Sequence, residues 1–174
     1  MAAYYALAGL VREQGRTTRA GASNKQLTLS NERDAPMTVI IPDSHKDLLE
    51  KPIVVSLTTV SAEGKPYAVG IWRRWDGEYI RITSDPDNRK HRNILANPHV
   101  SVMAIDPQNP YRYLEIGGVV ESIVTEGALE ELNRHTQNYM GKPKYYGAVE
   151  PAERESSYNG ILFMIKPERV VKYG

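Results

Sequence analysis

The connections between the β-rich segments of this chain are too short for parallel crossovers, and this constrains the fold more than any other sequence feature. Ile53 to Val60 is dense in β-branched residues and reads as a strand. A turn over Ser61-Ala62-Glu63-Gly64-Lys65-Pro66 returns the chain as a second strand at Tyr67 to Trp72. Asp76-Gly77 is a hairpin signal leading into Glu78 to Ser84. His99 to Asp106 and Tyr111 to Val124 are again strand-like, separated by Pro107-Gln108-Asn109-Pro110. Gly160 to Tyr173 supplies one or two closing strands. A parallel pair needs a crossover of a dozen or more residues, so these hairpin-length links exclude a doubly wound sheet. Six or so antiparallel strands of this length favour a barrel over an open sheet.

Helical signals interrupt the strands at two places. Pro86 to Asn97 fits a short helix after the third strand. Glu126 to Met140 carries Leu129, Leu132, Thr136 and Tyr139 near helical spacing, which predicts a longer helix after the fifth. Pro42-Asp43-Ser44 before His45 to Leu49 reads as a short capped helix that Pro52 ends. Gly141 to Tyr158 reads as a polar loop. The fold class is therefore mainly β, of the α+β kind. Residues 37–174 form the domain, and the polar stretch within residues 1–36 reads as a flexible extension.

Composition removes several classes of function. The 174 residues carry a formal net charge of +1, so nothing draws the chain as a whole to nucleic acid or anionic lipid. With no cysteine, disulfides, thiol catalysis and cysteine-ligated metals are excluded. The four histidines, His45, His91, His99 and His135, show no H-x-x-x-H spacing, and no metal site is proposed. No apolar run approaches the ~18 residues of a membrane span. Arg12 follows the mildly apolar Ala2 to Val11 and no basic residue precedes it, the reverse of a secretory signal, so the expected location is cytoplasmic.

The chemistry concentrates in Ile82-Thr83-Ser84-Asp85-Pro86-Asp87-Asn88-Arg89-Lys90-His91-Arg92-Asn93. A strand ends, a turn follows, and cations fall in the first turns of a helix. The helix dipole makes that end partly positive, so each cation there is unfavourable by ~0.3–1 kcal/mol. A bound anion reverses the argument: free backbone N–H groups, the dipole, Arg89 and Lys90 together make a phosphate site. A solvated basic helix face is the competing account.

Thr83-Ser84, then Asn88-Arg89-Lys90, Asn93-Ile94 and Asn97-Pro98-His99-Val100-Ser101-Val102 resemble the cofactor segment of the pyridoxamine-phosphate-oxidase-like superfamily. The Glu63-Gly64-Lys65-Pro66 turn, Ile71-Trp72, Asp76-Gly77, the Tyr111 to Gly118 strand and Lys166-Pro167-Glu168-Arg169-Val170 are similar too. The likeness runs from about Met37 to the C-terminus and is nearest to the branch that uses the deazaflavin coenzyme F-420. It implies a six-stranded antiparallel split β-barrel, assembled as a homodimer with the cofactor in a groove at the subunit interface. It further implies that Arg89 and Lys90 bind the cofactor phosphate with support from Asn93. Thr83 and Ser84 would lie along the ring or sugar-like chain, and Ile71 and Trp72 would flank the ring. Arg73 and Arg74 are expected at the solvated surface, and His91 is expected to be exposed. Tyr145, Tyr146 and Tyr158 are candidates for the substrate mouth. The C-terminus, Val170-Val171-Lys172-Tyr173-Gly174, lacks the arginine-rich substrate motif of true pyridoxamine phosphate oxidases.

The implied reaction is hydride transfer between F-420 and a small unsaturated or conjugated-carbonyl compound. No protein nucleophile is required, and no catalytic residue is assigned. An FMN-dependent oxidase or reductase of the same fold, and a non-catalytic flavin- or deazaflavin-binding carrier, are the alternatives.

Overall fold

A computed structural model of the chain describes residues 39–174. The expectation of a flexible extension over residues 1–36 lies outside the described residues. A 3-10 turn at Asp43–His45 leads into a single helical turn, α1 (Asp47–Glu50), without the side-chain cap that the sequence suggested. Seven strands follow: β1 (Val55–Val60), β2 (Pro66–Ile71), β3 (Arg74–Trp75), β4 (Ile80–Ser84), β5 (His99–Asp106), β6 (Asn109–Val124) and β7 (Ile161–Tyr173). Helix α2 (Arg89–Ala96) joins β4 to β5, and α3 (Ala128–Met140) follows β6. The polar loop after α3 contains a 3-10 helix at Ala152–Ser157. The sequence anticipated six strands. The seventh, β3, has two residues, too few to show any alternation, and it shifts the short helix from after the third strand to after the fourth.

Among the described residues the seven strands pair antiparallel throughout, in the order β2-β1-β5-β6-β7-β4-β3. One connection dictates the shape of the sheet. β2 and β3 sit at opposite ends of that order, yet only Trp72 and Arg73 lie between them. In a flat sheet those edges would be about 29 Å apart, whereas three extended residue steps reach at most ~11 Å. The sheet must therefore curl until its edges approach, which makes the split barrel. The strand alternation aims one face inward, with Val55 and Leu57, Ile80 and Ile82, Val102, Leu114, Ile116, Phe163 and Ile165 forming the shared core. Gly77, at φ 101°, takes the left-handed position that the Asp76-Gly77 hairpin requires, while the Asp76 carboxylate accepts from the Glu78 and Tyr79 N–H groups.

Gly117-Gly118 marks a shift in the β6–β7 register, as the paired glycines inside a strand suggested. A Cβ on Gly118 would lie 2.5 Å from the main-chain oxygen of Lys166, so backbone would have to move. Gly118→Ala is expected to destabilise the protein by about 1–3 kcal/mol. Gly117→Ala meets only the flexible end of Arg169 and should cost much less. Urea unfolding of the two variants makes the comparison.

Candidate functional site

The seam where the barrel edges meet is built around Trp72 and Arg73. Arg73 is 2% exposed. Its guanidinium donates to the carbonyls of Leu49 and Leu48, each at 2.5 Å, and of Lys51 at 2.9 Å. The carbonyls left open at the end of α1 thereby gain a donor fork. Tyr139 donates its hydroxyl to the Ile53 carbonyl at 2.9 Å, accepts from the Arg73 N–H at 3.2 Å, and stacks on Trp72 with ring centroids 5.2 Å apart. Arg74 turns the other way. It donates from Nε and Nη2 to the two oxygens of Glu131, at 2.5 and 2.8 Å. Both arginines are thus structural, which corrects the expectation of a solvated pair. Their partners lie 22 to 57 residues away in the chain, out of reach of local pattern.

Glu131 is 1% exposed and is shared with Arg134 at 3.3 Å, Arg81 at 3.8 Å and His135 at 3.6 Å. Burial opposes its ionisation, but the Arg74 hydrogen bonds win and hold the carboxyl below its ordinary value. His135 is 0% exposed, and burial pulls its pKa down to about 4 despite the nearby carboxylate. It is therefore neutral at pH 7. Because the unfolded chain takes up that proton near pH 6.5, stability is lost as the pH falls from there towards 4, by roughly 1.4 kcal/mol per pH unit. Urea unfolding between pH 7 and 5, above most carboxylate titration, should show this slope, and His135→Gln should flatten it.

Between β4, α2, α3 and the loop after α3 lie two adjoining cavities. One, of about 300 Å³, is lined by Thr83, Ser84, Asn88, Lys90, Tyr146 and Arg154 among others. The second, of about 390 Å³, is more apolar and is lined by Val54, Gly70, Ile71, Trp72, Leu132 and Val149. Thr83, Leu132 and Tyr145 line both. Of the residues singled out in the sequence, the structure thus brings Ile71, Trp72, Thr83, Ser84 and Lys90 to two neighbouring cavities that share a wall. Tyr145, Tyr146 and Tyr158 line the same polar cavity. Burial raises all three phenols, Tyr158 to about 12, so they remain protonated.

Arg89 and Asn93 line neither cavity. One helical turn apart, they share the face of α2 that rests on β1 and β2. Arg89 lies over the Tyr67 ring, 4.8 Å from its centroid. Asn93 is buried and donates to the Thr59 hydroxyl at 2.9 Å. Thr59 and Tyr67 are themselves cross-strand partners. Asn93 thus fixes the helix from behind while Lys90 faces the cavity. His91 is half-buried, its Nδ1 hydrogen-bonded to the Pro86 carbonyl and its ring near Phe163, rather than exposed as expected.

At the head of α2 the electrostatics are unsatisfied. Asn88 occupies the N-cap but makes no cap bond, because its side-chain oxygen accepts from Lys90 Nζ at 3.1 Å. The first turn has no acidic residue. Among the described residues Lys90 has no ion-pair partner. Burial lowers its pKa, with only partial compensation from the Asp85 carboxylate. Arg154 is already paired with Glu150 at 2.8 Å. A half-buried ammonium beside open helix N–H groups fits an anionic group, and the neighbouring apolar cavity fits a planar ring. Among the described residues no group of three or more His, Asp or Glu could hold a metal ion, and no helix is long and apolar enough to cross a membrane.

The sequence reading missed Arg154, Glu150, Asp85 and Leu132 as cavity residues, and Glu131 and His135 behind them. The one available signal was Glu131 and His135 at i,i+4 on a helix, which alone does not reveal burial.

Comparison with known proteins agrees with this architecture. Residues 41–171 match the family model described as pyridoxamine 5'-phosphate oxidase. A solved F-420 reductase is 34% identical, with a TM-score of 0.66 over 75% of this chain and 98% of its own. A conserved hypothetical protein from Mycobacterium tuberculosis is 20% identical, with a TM-score of 0.59 over 79% of this chain and 87% of its own. The heme storage protein from Vibrio cholerae is 19% identical, with a TM-score of 0.57 over 78% of this chain and 96% of its own. The last two share the fold alone. No curated protein matches the chain. With a family model spanning the barrel from before α1 into β7, the chain belongs to the pyridoxamine 5'-phosphate oxidase family.

Proposed function

We propose that this protein is an oxidoreductase that transfers a hydride between the deazaflavin coenzyme F-420 and a small unsaturated or conjugated-carbonyl compound. The observation that carries the reading is Lys90, a half-buried cation that has no carboxylate partner among the described residues, at the open N-terminus of α2 and facing a cavity that adjoins an apolar slot. The 34% identity to an F-420 reductase favours the deazaflavin over other ring cofactors.

The coenzyme supplies the hydride chemistry when bound. The residues of the chain bind, orient and exclude water. Lys90 and the first N–H groups of α2 hold the phosphate, and Arg89 reaches it by leaving the Tyr67 ring. Thr83 and Ser84 face the chain between phosphate and ring. Ile71 and Trp72, fixed by the stack on Tyr139, offer the ring an apolar wall. Tyr145 and Tyr146, protonated at neutral pH, are donors at the substrate end, while the Tyr158 hydroxyl is turned to the Ala128 carbonyl at 3.4 Å and walls the same cavity. A second copy of the chain closes the apolar cavity as a homodimer, a proposal supported by the exposed Val54 and Val149 on its rim. An FMN-dependent oxidase or reductase is the second reading, favoured by the match to a family described by its oxidase.

Fluorescence-quenching titration with F-420 and with FMN tests the assignment. The expected result is tight F-420 binding and weak FMN binding. Lys90→Ala should weaken F-420 binding about ten- to a hundredfold, the worth of one charge-assisted hydrogen bond. Arg89→Ala should have a smaller effect. The opposite cofactor preference would establish the FMN reading, and unchanged affinity in Lys90→Ala would refute the phosphate site.

A further inference from the structure

Thr83 is the polar side chain common to the polar and the apolar cavity apart from Tyr145, and it does not act alone. Its Oγ1 lies 3.3 Å from Nδ1 of His135, the fully buried ring behind it. The other ring nitrogen, Nε2, is buried with no hydrogen bond and stands 3.6 Å from Glu131 Oε1.

We propose that His135 and Glu131 fix the direction of the Thr83 hydroxyl, so that Thr83 presents only hydrogen-bond acceptor character to the cavity and selects a ligand with an O–H or N–H donor there. A neutral imidazole has one N–H and one lone pair. The Glu131 carboxylate facing Nε2 is an acceptor, held in place by Arg74, with Arg81 and Arg134 on its outer side. No guanidinium hydrogen-bonds to the ring among the described residues, Arg74 being committed to Glu131. A lone pair on Nε2 would therefore meet a buried carboxylate, an uncompensated repulsion at low dielectric. The proton belongs on Nε2, and Nδ1 is left as an acceptor. Among the described residues the only donor within hydrogen-bond reach of Nδ1 is the Thr83 hydroxyl. Its single proton is thus spent inward, and its remaining lone pairs face the ligand.

The position of Thr83 gives this a chemical reading, resting on the cofactor assignment above. It stands between the cavity that carries Lys90 and the slot walled by Ile71 and Trp72. What passes it is the segment linking a phosphate to a ring, so the donor is a hydroxyl of a polyol linker. A linker of ether or carbonyl oxygens would set acceptor against acceptor and be rejected. His135 acts through Thr83 and is a positioning residue.

Two-bond ¹⁵N–¹H correlation spectra of the ligand-free, histidine-labelled full chain read the tautomer directly. The expected result is a neutral His135 protonated on Nε2, with Nδ1 at the shift of a hydrogen-bonded acceptor. Protonation on Nδ1 would overturn the proposal. Because no ligand is present, this result stands apart from the cofactor assignment. Titration of Thr83 variants with F-420 supplies the second readout. Thr83→Val removes the acceptor and should weaken binding about tenfold, while Thr83→Ser keeps the hydroxyl and should stay near wild type. Equal affinity for the valine and serine variants would overturn the role of Thr83 even where the wild type binds F-420 tightly.

Discussion

Glu131→Ala should lower the stability of the protein by about 3–5 kcal/mol, because it breaks a buried ion pair from one side only. The carboxylate is 1% exposed and neutralises Arg74 in a bidentate contact, with Arg81, Arg134 and His135 around it. Its loss leaves Arg74, 24% exposed, without its ion-pair partner and with only the more distant Asp76 carboxylate to offset its charge. Arg81 keeps its own ion pair with Asp76 at 2.5 Å, and Arg134, 59% exposed, stays hydrated, which keeps the cost near the lower end of that range. For a domain of this size the melting temperature should fall by about 10 °C. Glu131→Gln retains the shape and one acceptor and should lose less. Replacing Arg74 by Met in the Glu131→Ala background should recover part of the loss, since no unpaired charge then remains buried. Calorimetry of the single and double variants measures each of these.

Arg73→Ala should be about as damaging, near 3–5 kcal/mol, for a different reason. Among the described residues Arg73 has no carboxylate partner; its charge is spread over three main-chain carbonyls at the end of α1. Truncation leaves Leu48 and Leu49, both 1% exposed, with unpaired carbonyls and opens a cavity at the seam. Arg73→Lys retains the charge but not the fork, and a single ammonium cannot serve all three acceptors, so it should recover only part of the stability. The damage should reach the apolar cavity, because Trp72 precedes Arg73 and its stacking partner Tyr139 is bonded to the Arg73 main chain. Chemical unfolding of both variants, with F-420 affinity measured on whichever remains folded, gives the two readouts.

What the sequence revealed follows a physical division. Strands with one buried face advertise themselves by alternation, and β1, with Val55, Leu57 and Thr59 inward, is legible from residue type alone. Asp76-Gly77 and Gly117-Gly118 declare a turn and a register shift because Gly77 takes a positive φ and Gly118 leaves no room for a Cβ. The two-residue β3 has no period to read. Arg73 and Arg74 look like surface cations because an isolated sequence carries no information on partners that meet them only after the barrel closes. The segment from Thr83 to Asn93 marks the candidate site, but which side chains enter it depends on how α2 is seated. The turn that aims Lys90 at the cavity sends Arg89 and Asn93 to Tyr67 and Thr59.

The central claim is that a phosphate-bearing ring cofactor lies between Lys90 and the Ile71–Trp72 wall. A crystal structure of the full chain grown with F-420 tests it most directly. The account predicts the cofactor phosphate within hydrogen-bond distance of Lys90 Nζ and the first N–H groups of α2, with the ring against Ile71 and Trp72. A cofactor bound elsewhere on the barrel, or bound with its phosphate away from α2, would contradict it.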